Sequence, residues 1–186
     1  MEIRRATPAD ALAIATVHVR SWRAAYGGVL PQSYLDDLDP ARLCAQWRQT
    51  LETTAWPVTG TLVVIDAAAD LSAGQAAGAD TAAITGFAHF GPTRDDDDDQ
   101  RSVGELQTLY LDPLVWRRGA GSLLLEAVEK QLGEAGFATA TAWTLENNDR
   151  ARIFYERHGW HPDGATKFHD WGAFMATDVR YRVSLA

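Results

Sequence analysis

The sequence predicts a single α/β (α+β) domain, a mixed β-sheet with helices on both faces. Three observations predict it. The 186 residues suit one domain, 1–186, and 46% of them are hydrophobic, enough for a sizeable core. Strand-like and helix-like patterns follow one another as strand, helices, two-strand hairpin, strand–helix–strand–helix, then closing strands. That order builds a sheet covered on both sides. No internal repeat and no linker long enough to divide domains interrupts it.

The elements follow in chain order. EIRRAT, from Glu2, is a short strand. TPAD, from Thr7, opens a helix: Thr7 caps, Pro8 suits the first helical position, and Asp10 suits the positive helix end. Leu12, Ala15, Val19 and Trp22 recur at helical spacing, and Gly27-Gly28 stops the helix after Tyr26. LPQSYLDDLDPARLCAQWRQTL reads as one or two further helices punctuated by Pro31 and Pro40. Thr61–Ala67 is a buried strand, Ala68–Asp80 a loop of small residues, and AAITGFAHFGP the second arm of a hairpin. The run Asp95–Asp99 reads as a metal site or as a solvated, mobile loop, and the loop is favoured because like charges repel.

Val103–Asp112 is a strand. Strict alternation puts Glu105, Gln107, Leu109 and Leu111 on one face and Leu106, Thr108 and Tyr110 on the other. A glycine turn then leads into a helix from about Gly119 to Leu132, with Val128 and Leu132 in helical register. FATATAWTL is a strand. NNDRARIFYERHG is a helix with asparagine caps at its start and Gly159 at its end. In ATDVRYRVSL, Val179, Tyr181, Val183 and Leu185 alternate with polar residues, as in a half-buried strand.

Composition narrows the function. The formal net charge is -8, against the basic surplus of nucleic-acid binders. An acidic surface mildly favours cationic partners such as amines. The single cysteine, Cys44, allows neither a disulfide framework nor a cysteine metal site within one chain, and it fits a reducing cytoplasm. The N-terminus lacks the apolar core of a signal peptide, and no apolar run approaches the roughly 18 residues of a membrane span. The expectation is a cytoplasmic protein without nucleic-acid or membrane partners.

The segment WRRGAGS, from Trp116 to Ser122, follows a strand and starts a helix. A first helical turn has free backbone N–H groups and the positive end of the helix dipole. Glycines admit an anion close to the backbone, so Arg117–Ser122 suits a pyrophosphate. Two familiar phosphate motifs do not fit. The P-loop needs Gly-Lys-Ser/Thr, and Ser122 follows Gly121 directly; the dinucleotide fingerprint needs a third glycine where Leu124 stands. By itself the segment is either an anion cradle or a tight strand-to-helix turn.

WRRGAGSLL followed by NDRARIFYERHGW resembles the GNAT superfamily of acetyl-CoA-dependent N-acetyltransferases. Gly119, Ala120 and Gly121 match the first signature, Q/R-x-x-G-x-G/A, while Trp116 stands where Gln or Arg is usual. Asn148, Ala151, Phe154, Tyr155 and Gly159 match the second signature, with Trp160 for Phe. The element order matches over nearly the whole chain.

The resemblance implies a mostly antiparallel sheet of about seven strands, with a V-shaped splay between the fourth and fifth. Acetyl-CoA is the implied cosubstrate, and no metal is implied. Its pantetheine arm would pair with backbone at Leu109, Tyr110 and Leu111 like an added strand. A backbone N–H near Leu109 would stabilise the oxyanion. A β-bulge in this strand would splay the pair. The pyrophosphate would sit on Arg117, Arg118, Gly119, Ala120, Gly121 and Ser122. Asn148 is a helix N-cap, a cofactor ligand, or both. Tyr155 would be the general acid toward the departing thiolate, and helical spacing suggests that only one of Phe154 and Tyr155 faces the cofactor.

Glu105 is the leading candidate for the base that deprotonates the acceptor amine, with Glu146, His89, His169 and Asp170 as further candidates. Trp22 and Tyr26, four apart on the first helix, border the implied acceptor pocket, and Phe168–Phe174 would form its opposite wall. His158 and His161 are read as helix-end and turn residues. The implied reaction moves an acetyl group to a primary amine of a small molecule or peptide, by direct attack through a tetrahedral intermediate. A homodimer is frequent among such proteins. A non-catalytic acyl-CoA-binding or sensor module of the same fold is the alternative. A nucleotide or S-adenosylmethionine binder using the glycine turn alone is disfavoured by the second signature.

Overall fold

The computed structural model describes residues 1–66, 83–170 and 175–185. The small-residue loop expected at Ala68–Asp80 and most of the wall expected at Phe168–Phe174 lie outside them. In chain order come β1 (Glu2–Arg5), a 3₁₀ turn (Pro8–Asp10), α1 (Ala11–Ala25), α2 (Gln32–Asp36), α3 (Pro40–Glu52), β2 (Gly60–Ile65) and β3 (Ile84–Pro92). They are followed by β4 (Val103–Leu111), a 3₁₀ turn (Pro113–Val115), α4 (Ala120–Glu134), β5 (Thr139–Leu145), α5 (Asp149–Arg157), β6 (His161–Asp170) and β7 (Met175–Ser184). One seven-stranded sheet runs β1-β2-β3-β4-β5-β7-β6. Every neighbouring pair is antiparallel except β4–β5, which is parallel.

The helices divide between the faces. α1 and α3 bury Ile14, Ala15, Val17, Trp47 and Leu51 against Val63 and Phe87 on one face. On the other, α4 buries Leu124, Leu125, Val128 and Leu132 against Leu62, Ala88, Phe90 and Leu106, and Tyr155 and Trp160 join that core. The TPAD start expected for the first helix forms a 3₁₀ turn over Pro8–Asp10, and α1 begins at Ala11; Asp10 accepts from the backbone N–H of Thr7 at 2.7 Å, and Arg4 forks onto its carboxylate at 2.8 Å. The expected apolar stripe of α1 is out of phase at one position. Leu12 is 53% exposed, because the buried face runs through Ala11, Ile14 and Ala15, and one residue turns the side chain about 100° away.

The alternation expected along β4 is also corrected. The β3–β4 register steps from His89↔Thr108 to Phe90↔Leu106, leaving Gln107 as an extra residue. This β-bulge resets the faces. Leu106, Leu109 and Leu111 all pack on the α4 side, whereas Tyr110 packs on the α1–α3 side. A bulge adds one residue against one partner, so strict two-residue periodicity fails across it. Immediately past Leu106 the β4–β5 ladder ends, although both strands continue. The V-shaped splay expected between the fourth and fifth strands is therefore present.

The aspartate run differs most from expectation. Asp95 is buried and accepts from Trp143 Nε1 at 2.9 Å, from Arg180 at 3.0 Å and from Lys167. Arg180 also binds Asp97 at 2.8 Å, Asp98 at 3.2 Å and Asp163 at 2.7 Å, and Arg182 binds Asp98 at 2.6 Å and Asp163 at 3.1 Å. The run is an ion-paired cover on the sheet, not a freely solvated loop. Repulsion within the run is cancelled by cations that lie more than 60 residues away in sequence on β6 and β7 and that only the sheet order brings near.

Candidate active site

The splay opens into a cavity of ≈ 910 Å³. β4 supplies one wall from Leu106 to Leu111, the turn before α4 closes one end, and α5 supplies the other wall with Phe154 and Tyr155. Tyr26 and Ser21 of α1 close the far end, together with Trp143 of β5. Beyond Leu106 the β5 side of β4 has no strand partner, so its backbone groups there face the cavity.

The turn has the geometry of an anion cradle. Arg117 (φ 63) and Gly119 (φ 87) are both left-handed, two residues apart just before α4. A turn of this kind can aim neighbouring backbone N–H groups at one anion. The first helical bond of α4 is from Leu123 N–H to the Gly119 carbonyl, which leaves the amides of Ala120, Gly121 and Ser122 at its open end. A Cβ on Gly121 would stand 3.3 Å from both Leu111 and Phe154, so a residue without one lets α4 close on α5. Arg118 departs from the expected cradle. Its amide donates to the Val115 carbonyl at 3.3 Å and it does not line the cavity.

Charge follows the same pattern. Arg117, Arg150 and Arg157 line the cavity, and among the described residues none has a carboxylate within salt-bridge distance. Arg4, Arg20, Arg94, Arg180 and Arg182 all do. In a chain of net charge -8, three uncompensated guanidiniums around one cavity suit a polyanionic ligand. Trp116, where the first signature has Gln or Arg, donates from Nε1 to the Leu111 carbonyl at 3.1 Å, and the Arg150 guanidinium stacks 3.8 Å from its ring centroid. The side-chain cation absent at position 116 is thus supplied over it by α5.

The other expected residues divide. Leu109, Tyr110, Leu111, Gly119, Gly121, Ser122, Asn148, Tyr155 and Tyr26 line the cavity, while Ala120 is buried beside it. Trp22 is one layer behind, edge-on to Tyr26 at 5.2 Å and to Tyr110 at 6.3 Å. Asn148 caps α5, its Oδ1 accepting from Ala151 N–H at 3.2 Å, and it shares the cavity lining with Tyr26. Phe154 and Tyr155 both border the cavity. Spacing alone suggested one of the two, but a groove wider than one residue takes both sides of a helix.

Burial, and then the neighbouring Tyr26, push the Tyr155 phenol well above the ordinary tyrosine range, so it stays protonated. Among the described residues, no carboxylate lines the cavity. Glu105 is 2% exposed, and its carboxylate accepts from the Arg94 backbone at 2.9 Å and from the Arg94 guanidinium at 2.5 Å. His89 is buried, bonded to Thr61 at 2.8 Å, and burial, with Arg94 nearby, lowers it to about 4. Glu146 is exposed, and the side chains of His169 and Asp170 lie outside the described residues.

Sequence reasoning missed Arg150 and Arg157 and assigned His158 only a helix-end role. The available signal was helical spacing. Positions 150, 154, 157 and 158 share the face of α5 that carries the Ala151 and Phe154 of the second signature.

Known proteins agree with this geometry. The family model described as acetyltransferase (GNAT) family matches residues 41–160. The uncharacterised N-acetyltransferase YuaI of Bacillus subtilis (strain 168) is 30% identical over 156 residues, 84% of this chain and 78% of that one. Two solved structures share the fold. The PaiA N-acetyltransferase of Thermoplasma acidophilum, in complex with coenzyme A, has a TM-score of 0.69 at 18% identity, covering 98% of each chain. YncA of Salmonella typhimurium, solved with its cofactor acetyl-CoA, has a TM-score of 0.67 at 19% identity, covering 100% of this chain and 94% of that one. With its parallel β4–β5 pair splayed over a glycine-turn cradle, the chain belongs to the GNAT family of acetyl-CoA-dependent N-acetyltransferases.

Proposed function

We propose that the protein transfers acetyl from acetyl-CoA to a primary amine of a small molecule or peptide. The observation that carries this reading is the β4–β5 splay, which opens directly onto the Arg117–Ser122 turn at one end and the α1 aromatics at the other. Acetyl-CoA supplies the activated acetyl group. The Arg117 amide and those of Gly119–Ser122 hold its pyrophosphate, with Arg117, Arg150 and Arg157 adding charge. The open edge of β4 at Leu109–Leu111 hydrogen-bonds the pantetheine arm, and an amide near Leu109 stabilises the tetrahedral oxyanion. Tyr26, backed by Trp22, borders the acceptor. As the amine nitrogen bonds to the acetyl carbon and the C–S bond breaks, Tyr155 protonates or hydrogen-bonds the departing thiolate.

The acceptor's proton leaves on the β4 side of the cavity. Arg94 occupies the Glu105 carboxylate, so Glu105 acts through water past Gln107, which does line the cavity. Glu105→Gln is expected to lower kcat/KM for the amine by about 100-fold with little change in acetyl-CoA affinity; an unchanged kcat/KM removes Glu105 from proton transfer. The reading as a whole is tested by incubating the protein with acetyl-CoA and a panel of amines and following thiol release. Acceptor-dependent release supports it. Tight acetyl-CoA binding without turnover across alkyl, aryl and peptide amines favours the non-catalytic module.

A further inference from the structure

His158 lies on the phosphate side of the cavity and has a defined tautomer. Its Nδ1 is 2.7 Å from the Phe154 carbonyl oxygen, and its Nε2 is 2.9 Å from Ser122 Oγ. A carbonyl only accepts, so Nδ1 carries a proton. In the neutral ring Nε2 is then an acceptor, and the Ser122 hydroxyl donates to it. That arrangement presents oxygen lone pairs, not a donor, toward the open end of α4. It opposes an incoming anion at the third residue of the helix, where the backbone amides favour one.

We propose that His158 is a positioning residue that reverses the Ser122 hydroxyl, and that binding of the cofactor's pyrophosphate is coupled to uptake of one proton from solvent at His158 Nε2. The inference rests on the reading above that the Arg117–Ser122 turn holds that group. With both ring nitrogens protonated, Nε2 donates to Ser122 Oγ, and the hydroxyl proton turns to a phosphate oxygen. The cradle thereby gains one donor and one nearby positive charge. Neutral histidine is the side chain suited to such a change near physiological pH.

The charged and titratable groups around His158 are few. Arg157 and Tyr155 accompany it on α5, Arg117 and Arg150 share its cavity, and Glu126 lies one turn beyond Ser122 on α4. A bound pyrophosphate adds negative charge close to the ring, which favours the doubly protonated imidazole when the ligand is present.

The probe is dephospho-CoA, which lacks the phosphomonoester whose own second ionisation falls near pH 6. Binding is followed by calorimetry in buffers of differing ionisation enthalpy. The wild-type protein is expected to bind about three- to tenfold more tightly at pH 6 than at pH 7.5, with a mean net uptake of about one-third to two-thirds of a proton over that range. Ser122→Ala, which keeps the imidazole and loses the relayed donor, is expected to show a shallower pH slope, and His158→Gln a flat one. A flat wild-type profile overturns the proposal, as does a slope that is undiminished in Ser122→Ala or that survives His158→Gln. Binding with no pH dependence leaves the cofactor reading standing, whereas absence of binding to dephospho-CoA and CoA at every pH removes both.

Discussion

Replacing Tyr155 with phenylalanine is expected to lower kcat by about 100-fold or more, with little change in acetyl-CoA affinity. The ring of Tyr155 is part of the core, 5.5 Å from both Trp160 and Tyr181. Phenylalanine keeps those contacts and removes only the hydroxyl. Burial keeps that hydroxyl protonated, so it has a proton to offer when negative charge develops on sulfur. A thiol has a pKa near 8.5, below that of the buried phenol. Full proton transfer is therefore uphill, and a strong hydrogen bond in the transition state accounts for much of the effect. Steady-state kinetics with an identified amine, together with acetyl-CoA binding, checks this. Equal losses in turnover and affinity would assign Tyr155 to structure alone.

The largest effect on stability is expected at Arg180. Its side chain is 6% exposed and meets Asp95, Asp97, Asp98 and Asp163. Arg180→Met removes the cation and leaves Asp95, itself 2% exposed, with a buried charge that Lys167 alone must balance. Breaking a buried pair from one side costs about 3–5 kcal/mol, measurable by denaturant unfolding. Removal of the partner charges as well should restore part of the loss, since the cost is that of the stranded carboxylate.

The same cluster sets an acid limit. Burial by itself would raise Asp95, but hydrogen bonds from Lys167, Arg180 and Trp143 outweigh it and hold the carboxyl below the ordinary range. Asp163 behaves likewise, through the Ala165 amide, Arg180 and Arg182. Groups with depressed folded-state pKa values contribute stability above their unfolded pKa of about 3.9 and lose it as pH falls through the folded value. Wild-type protein should therefore unfold in acid only below that range, and Arg180→Met should begin to unfold at higher pH. Circular dichroism across the acid transition distinguishes the two, and coincident midpoints would show that the cluster does not govern acid stability.

What was legible in the sequence followed from local chemistry. Helix ends were marked by Thr7, Pro8, Asn148 and Gly159, whose capping and left-handed roles depend on residues next to them. The glycine turn before α4 was legible because two glycines and a strand-to-helix junction lie within seven residues. Phase was the first thing to fail. The resemblance implied a bulge in this strand, but nothing in GELQTLYL places the extra residue at Gln107, because its position depends on how β3 pairs with β4. With that phase went the expected face of Leu106 and the relation of Glu105 to the cavity.

By itself the sequence determined the element order, the glycine turn and the pair of signatures that mark the family. Each is encoded in residues close together, where backbone sterics and short-range hydrogen bonds decide the outcome. Only the tertiary structure decided that Asp95 is buried and ion-paired, with Asp97 and Asp98 paired beside it, that Arg94 holds Glu105, and that Arg150 stacks over Trp116. These contacts join residues 11 to 85 positions apart. Electrostatic partners act through space, so which charges cancel is set by the strand order and not by the neighbours in the chain.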